Sequence, residues 1–347
     1  MSRAGGQPDS ALLSRRPPRR RRSLVFASLG LALCSVFDLV PGLESLSLAG
    51  PGRPASGRSR VFRVVIGGDL LLGRGVAADA ARRGWPAQLL AQGPRLRAAD
   101  LSIVNLESPL APCLPGGTVA RPRLCGDPAG VEALAKAGVG AVTLANNHAL
   151  DAGPDGLRKT VDLLARRGIR SFGTRAALTG LLEAERVGPL QVVAANLTPP
   201  SHPPGSKVPL PSPAALSRAV ARARRLAPSR PVLVILHVGR ELDPLPNPRD
   251  RAYAEAAVGG GAAAVVMHGA HVRRAHGRDR GVPVHLGLGN LRFDQRDPRA
   301  RVGALLTLGL RPGKAPGSQG SVEVEEFCID SLSGVEIPCP GGGPSRP

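Results

Sequence analysis

The sequence predicts an α/β fold with much parallel strand pairing. Short apolar runs alternate with helical segments of about a dozen residues, the order in which helices stack on a mainly parallel sheet. The runs are continuously apolar, as in strands buried on both faces. Caps and turn residues mark most of the boundaries.

The folded part begins with a buried-strand pattern over 61–66, ending in Gly67-Gly68-Asp69. A second strand, 101–104, runs into Asn105-Leu106-Glu107. Asp127 reads as the N-cap of a helix with Pro128 at its first position, ending near 136 before Gly138. A third strand, 140–144, ends in Ala145-Asn146-Asn147-His148, and a helix over 154–166 is stopped by Gly168. The second half repeats the rhythm: strand 190–195, a Pro-rich loop over 199–213, helix 214–225, strand 231–236 ending at His237, helix 250–258 and strand 263–267 ending at His268. Residues 283–288 lead as a strand into Gly289-Asn290, and 302–310 and 321–327 supply the last two strands. There is no internal repeat.

The N-terminus reads as a targeting segment. Residues 15–22 are R-R-P-P-R-R-R-R, and an apolar run over 24–37 follows, the order of a charged n-region and an h-region. A spanning helix needs about 20 apolar residues, more than this run offers. Residues 1–49 are therefore a signal peptide or an N-terminal anchor. Small residues precede a cleavage point after Ala49, and Arg21-Arg22 resembles a twin-arginine signal. In either case the rest of the chain is exported: periplasmic, secreted, or anchored facing outside. Residues 50–60 are a linker, 61–330 the domain, and 331–347 a disordered tail by composition.

Beyond Cys34 in the leader, four cysteines remain: Cys113, Cys125, Cys328 and Cys339. An even number in an exported chain reads as two disulfides, which proximity pairs as Cys113–Cys125 and Cys328–Cys339. A zinc site is the alternative, but no C-x-x-C spacing exists.

Lys and Arg number 46 against 26 Asp and Glu, a net charge of +20. Residues 1–49 hold seven of the Arg and three of the acids, so the remainder carries 39 − 23, or +16. The excess suits an anionic partner. Compositional bias explains it equally well, since only four of the basic residues are Lys. Nucleic acid is excluded as a partner: stacking aromatics are scarce, at 2% of the chain, and basic residues cluster only at the N-terminus. The same scarcity means a core of Ala, Val and Leu.

The chemistry collects at strand ends. Asp69, Glu107, Asn147-His148, His237 and His268/His271 follow five different strands, and ligands of open α/β sheets bind outside the carboxyl ends of strands. Taken singly, each has a structural reading, such as a turn Asp or a buried His with a partner. Taken together, oxygen donors and imidazoles at one edge suit Mn, Zn or Fe. One or two such ions hold a phosphoryl group and activate water.

The same residues carry a resemblance. G-G-D-L-L-L-G-R-G (67–75), A-D-L-S-I-V-N-L-E-S-P-L (99–110), L-A-N-N-H-A-L-D-A-G (144–153), H-V-G-R-E-L (237–242) and L-G-L-G-N-L-R-F-D (286–294) resemble, in this order, the CapA family of poly-γ-glutamate capsule-synthesis proteins, relatives of calcineurin-like metallophosphoesterases. The resemblance spans roughly residues 61–295. It implies a layered α-β-β-α metallophosphoesterase-like sandwich. It implies metal ligands at Asp69, Glu107, Asn147, His237 and His271, with His148 as general acid beside Asn147. Arg74, Glu241 and Asn290 then contact substrate or orient a ligand. The implied activity is hydrolysis of a phosphoester, or an amide, of an anionic cell-surface polymer, alongside membrane-associated synthesis machinery. The alternative is a non-catalytic accessory of polymer synthesis or export.

One departure bears on that choice. The family has His-Pro-His after the fifth strand, and this chain reads Met267-His268-Gly269-Ala270-His271. His271 matches the second His, and Gly269 replaces the first. His268 is one residue early, and neighbouring side chains of an extended segment face opposite ways, so His268 substitutes only if the loop rearranges. On this reading Gly269→His strengthens binding of a second ion. Ala263 and Leu291 also stand where the family has Asp and Phe.

Overall fold

A computed structural model describes residues 61–338 except 90, 119–121, 200–207, 311–321 and 334. The leader, the linker and Cys339 lie outside the described residues. No described helix is long and apolar enough to cross a membrane.

The strands are β1 (Phe62–Leu70), β2 (Leu101–Leu106), β3 (Ala141–Thr143), β4 (Arg170–Phe172), β5 (Ala184–Val187), β6 (Leu190–Asn196), β7 (Val232–His237), β8 (Ala264–His268), β9 (His276–Asp279), β10 (Val282–His285), β11 (Asn290–Arg292), β12 (Val302–Leu310), β13 (Val322–Asp330) and β14 (Glu336–Ile337). The helices are α1 (Arg74–Arg83), α2 (Gly93–Ala98), α3 (Val131–Ala137), α4 (Gly153–Arg166), α5 (Thr174–Thr179), α6 (Pro213–Leu226) and α7 (Pro248–Gly259). One sheet runs β14-β13-β12-β1-β2-β3-β4, with β11 pairing the end of β1; the other runs β5-β6-β7-β8-β10-β9. β1 to β4 are parallel neighbours, as are β6, β7, β8 and β10.

The two-residue period of a strand divides each buried strand between two cores. Val64 and Ile66 of β1 join Leu306 of β12, Ile235 of β7 and Val266 of β8 in a core between the sheets. Val65, Val104 and Val142 face the other way, onto Leu134 of α3 and Leu157 of α4. On the second sheet, Val234, Leu236, Val265 and Met267 pack on Leu216 and Val220 of α6 and Ala257 of α7. Three cores separate four layers, so the architecture is an α-β-β-α sandwich. The apolar runs read as continuous because both faces of these strands are covered.

Local sequence sets the boundaries. Asn247 and Asp250 form a reciprocal capping box at the start of α7, and Ser212 accepts from Ala215 N–H ahead of α6. Asp127 caps a single 3-10 turn, Pro128–Gly130, that leads into α3. Several elements differ from the expectation. β1 continues through Gly67-Gly68, so Asp69 lies within the strand. β9 and β10 form a hairpin in place of a single strand. The stretch assigned to the tail contains buried Ser331 and β14, which pairs with β13. Helices α1 and α2 carry mixed, Gly- and Arg-rich sequence with little apolar period, which hides them from a pattern reading.

Gly68 positions the functional edge. A Cβ there would lie 2.0 Å from the carbonyl oxygen of Gly289, and Asp69 N–H donates to that same oxygen at 2.9 Å. The register of β1 on β2 also shifts between Ile66 and Asp69, which turns Asp69 towards the gap between the sheets. Gly68→Ala forces the two backbones apart and is expected to cost about 3 kcal/mol, the upper range for overpacking. The check is urea unfolding: a lower midpoint at unchanged slope is expected, and an unchanged midpoint would contradict the contact.

Candidate metal centre

Strand ends from both sheets meet at the mouth of the inter-sheet core. β1 brings Asp69, the end of β2 brings Glu107, β7 and β8 end in the register pair His237 and His268, and the loop after β8 brings His271. All five side chains are buried. Asp69 Oδ1 lies 3.4 Å from His268 Nδ1, and Asp69 Oδ2 lies 3.5 Å from His271 Nδ1. Glu107 Oε1 lies 3.5 Å from both His237 Nε2 and His271 Nε2. Single ligand atoms of Asp69, Glu107 and His271 fall within 4.8 Å of one another, an arrangement able to hold a metal ion.

His268 therefore does reach the site. Counting from Val266, which faces the inter-sheet core, residue 268 is the one that shares its face, and Gly269 is the one that does not. The loop then turns back through left-handed residues, Gly269 at φ +95° and His271 at φ +58°, which carries His271 to the same cluster. A Cβ at 269 would lie 2.8 Å from His237 Nε2. A histidine there collides with a neighbouring ligand, so the expectation that Gly269→His strengthens a second ion is corrected.

Hydrogen bonds fix the first carboxylate. Asn105 Nδ2 donates to Asp69 Oδ1 at 2.7 Å, and Gly269 N–H donates to Oδ2 at 3.1 Å. Asn146 Nδ2 in turn donates to Asn105 Oδ1 at 3.1 Å. A second chain fixes His271. Glu241 accepts from Gln295, whose side-chain oxygen accepts from Asn290 Nδ2 at 2.8 Å, and Asn290 Oδ1 lies 2.9 Å from His271 Nδ1. With Asn290 Nδ2 donating to Gln295, its Oδ1 is the acceptor. His271 thus carries a proton on Nδ1 and turns Nε2 towards Glu107. At His237 the sense is reversed: Asn105 Nδ2, a donor, lies 3.3 Å from Nδ1, leaving the ring proton on Nε2, towards Glu107. Either ring ligates through Nε2 only once that nitrogen has no proton, by a shift to Nδ1 in His237 and by loss of the imidazolium proton in His271.

Charge explains why these groups cluster. Burial opposes the charge on Asp69, but His268, His271 and His237 outweigh it and hold the carboxyl well below its ordinary range. Burial pushes His237 below its ordinary value, against the pull of Glu107 and Asp69. Burial also disfavours charge on His271, yet Glu107, Asp69 and Glu241 raise it to about 10. Both oxygens of Glu107 and both ring nitrogens of His268 are buried without a hydrogen-bond partner. Two buried carboxylates that among the described residues meet imidazoles and no Arg or Lys fit a divalent cation.

The remaining residues of the reading fall around one cleft of about 350 Å³, which Glu107, Asn147, His148, His237, His271 and Arg74 help to line. The amide oxygen of Asn147 is buried in its wall. His148 Nδ1 lies 2.7 Å from Asp151 Oδ2. Arg74, at the rim of this cleft, is ion-paired with Asp294 and lies over Phe293 at 5.9 Å. Glu241 and Asn290 act through the His271 chain. Cys113 and Cys125 are joined by a disulfide, and Cys328 is also disulfide-bonded. Asn105, Asn146, Asp151 and Gln295 carry no sequence signal strong enough to single them out. Asp151 comes nearest to one, three residues after His148 on a tight turn.

The sequence profile of the family described as bacterial capsule synthesis protein PGA_cap matches residues 63–295. The chain belongs to this family. Two curated relatives show how far the likeness goes. The PGA biosynthesis protein CapA of Bacillus subtilis (strain 168) is 26% identical over 257 residues, 70% of this chain and 66% of that protein. The capsule biosynthesis protein CapA of Bacillus anthracis is 27% identical over 201 residues, 52% of this chain and 46% of that protein. This chain thus spans just under two thirds of the first relative and under half of the second. The crystal structure of TT1561 of Thermus thermophilus aligns at 10% identity over 76% of this chain and 98% of that one, with TM-score 0.39, too slight a likeness to bear on function.

Metal linkage tests the centre. Mn²⁺ or Zn²⁺ at one hundred times its dissociation constant is expected to stabilise the folded chain by about 2.7 kcal/mol, read as a rise in Tm. Asp69→Asn is expected to abolish the rise, and His268→Ala and Gly269→His to weaken it. A Tm that ignores both metals would contradict the assignment.

Proposed function

We propose that this PGA_cap protein is an exported, metal-dependent hydrolase of phosphoester type, acting on an anionic cell-surface polymer during capsule or poly-γ-glutamate synthesis. One observation carries the reading: buried Glu107, His237 and His271 line the same cleft as His148, which pairs with Asp151, and Asp69 and His268 adjoin them in one buried cluster. Asp69, Glu107 and His271 would hold a divalent ion, with His237 and His268 alongside. When bound, such an ion supplies Lewis-acid polarisation of a phosphoryl or carbonyl oxygen.

The chain's own groups supply the rest. His148, which lines the cleft and is engaged at Nδ1 by Asp151, would act as its imidazolium, giving the Nε2 proton to the leaving group and keeping the Nδ1 proton on Asp151. Asn147 borders the same space, and Leu124 and Phe293 close it with apolar surface. The Cys113–Cys125 bridge supports an oxidising, exported setting. The basic excess of +20 suits an acidic polymer, and membrane-associated synthesis machinery is the partner such a substrate implies.

One feature favours a second reading, a non-catalytic accessory: Gly269 stands where the resemblance to the CapA family implies a ligand histidine. Turnover separates the two. Metal-loaded protein is expected to hydrolyse a generic aryl phosphate, with His148→Ala slower by about 10²-fold or more on poor leaving groups and Glu107→Gln inactive. Fully metal-loaded protein that turns over neither aryl nor alkyl phosphates would leave the accessory reading in place.

A further inference from the structure

The loop between the two cysteines of the first disulfide does more than cover the cleft. Cys113 and Cys125 are bridged, and the residue on the inner side of each makes a backbone hydrogen bond to one residue, Asp151. Leu114 N–H donates to the Asp151 carbonyl oxygen at 3.1 Å, and Leu124 N–H donates to Asp151 Oδ2 at 2.6 Å. Arg123 Nη1 adds a third bond to the same carbonyl at 3.1 Å. Oδ2 is also the oxygen that meets His148 Nδ1 at 2.7 Å. The bridge therefore brackets Asp151 through both its main chain and its side chain, one bond away from His148.

Among the described residues of this loop, burial is confined to one end. Residues 112–118 are exposed, and Leu114 is 42% exposed. Leu124 is its buried anchor, in a small cluster with Leu71 and Phe293. The base of the loop is tied by Gly126 N–H to Pro109 O and Asp127 N–H to Leu72 O, both at 2.8 Å, which lie outside the bridged segment or at its edge. A covalent tie over a sequence separation of 12 removes the freedom that such an exposed loop otherwise keeps.

We infer that the Cys113–Cys125 bridge and Asp151 form a positioning device for His148: the bridge holds Leu114 and Leu124, these hold Asp151, and Asp151 fixes the ring orientation and tautomer of His148. The catalytic consequence rests on the reading of His148 as proton donor; the structural link does not. A carboxylate on Nδ1 keeps a proton there in both the neutral and the imidazolium ring, so that the proton exchanged in catalysis is the one on Nε2. A shift of about 1 Å in such a group is enough to cost about 10²-fold in rate.

Two measurements on the full chain test it. The first is side-chain ¹H–¹⁵N NMR of the histidines, which needs no substrate. Wild type is expected to show a low-field His148 Nδ1–H resonance. Asp151→Asn and the double variant Cys113→Ser/Cys125→Ser are expected to lose it or show both tautomers. If the double variant does not fold, wild type is treated with dithiothreitol until mass spectrometry shows this bridge open. The dithiol then gives up two electrons and two protons to become a cyclic disulfide, and Cys113 and Cys125 take them up as two thiols. A His148 resonance that is absent from wild type, or unchanged with the bridge open, overturns the inference.

The second measurement is the leaving-group dependence of kcat. Opening the bridge is expected to slow an alkyl phosphate by about 10²-fold while leaving p-nitrophenyl phosphate, whose leaving group needs no proton, within about threefold. A merely structural role slows both alike, and that result overturns the inference. Failure of wild type to hydrolyse either ester removes the hydrolase reading, and the NMR result still decides the positioning.

Discussion

Asp69 and Glu107 bring two carboxylates together in buried positions at the meeting point of two sheets. Most of what surrounds them answers the cost of that burial. Two parallel strand ends deliver the acids, the facing sheet and its following loop deliver three imidazoles, and amide side chains orient both sets. No guanidinium or ammonium is recruited among the described residues, although the chain has 46 basic residues to choose from. Buried carboxylates that are left to imidazoles, with Glu107 still lacking a hydrogen-bond partner, are compensated by a divalent cation more completely than by the protein alone.

The four-layer architecture follows from the same strands. Each central strand is apolar on both faces, so neither sheet is stable facing water, and each must be covered twice. That requirement places the sheets against one another and makes their shared carboxyl edge a cleft. The disulfide-closed loop then forms one wall of it, joined to Asp151 by three hydrogen bonds. The site is thus built from rigid strand ends below and a covalently tied loop above.

Much of this is legible in sequence, for identifiable reasons. Runs such as those at 190–195 and 231–236 are mostly apolar, which marks buried strands, and polar residues recurring at the ends of five such runs point jointly to one site although each alone has a structural reading. The loop after β8 is harder. Alternation counted from Gly269, the expected ligand position, puts His268 outside, whereas Val266 sets the true phase and puts His268 inside. Left-handed backbone at Gly269 and His271 lets two histidines three residues apart share one cluster, and no periodic pattern announces that. Arg74 reads from sequence as a substrate contact or as the partner of an acid, and only the fold shows which acid it meets, Asp294, 220 residues away. The orienting residues Asn105, Asn146 and Gln295 are illegible for a similar reason: their role lies in which side chain they meet.

The central claim is that these buried groups form a cation site. Anomalous diffraction at the zinc edge, from crystals grown with ZnCl₂, tests it most directly. A peak bonded to Asp69, Glu107 and Nε2 of His271 at about 2.0–2.2 Å is the predicted result. Crystals with no anomalous peak in that pocket at saturating zinc, and with His271 still turned onto both carboxylates as their counter-ion, would contradict it.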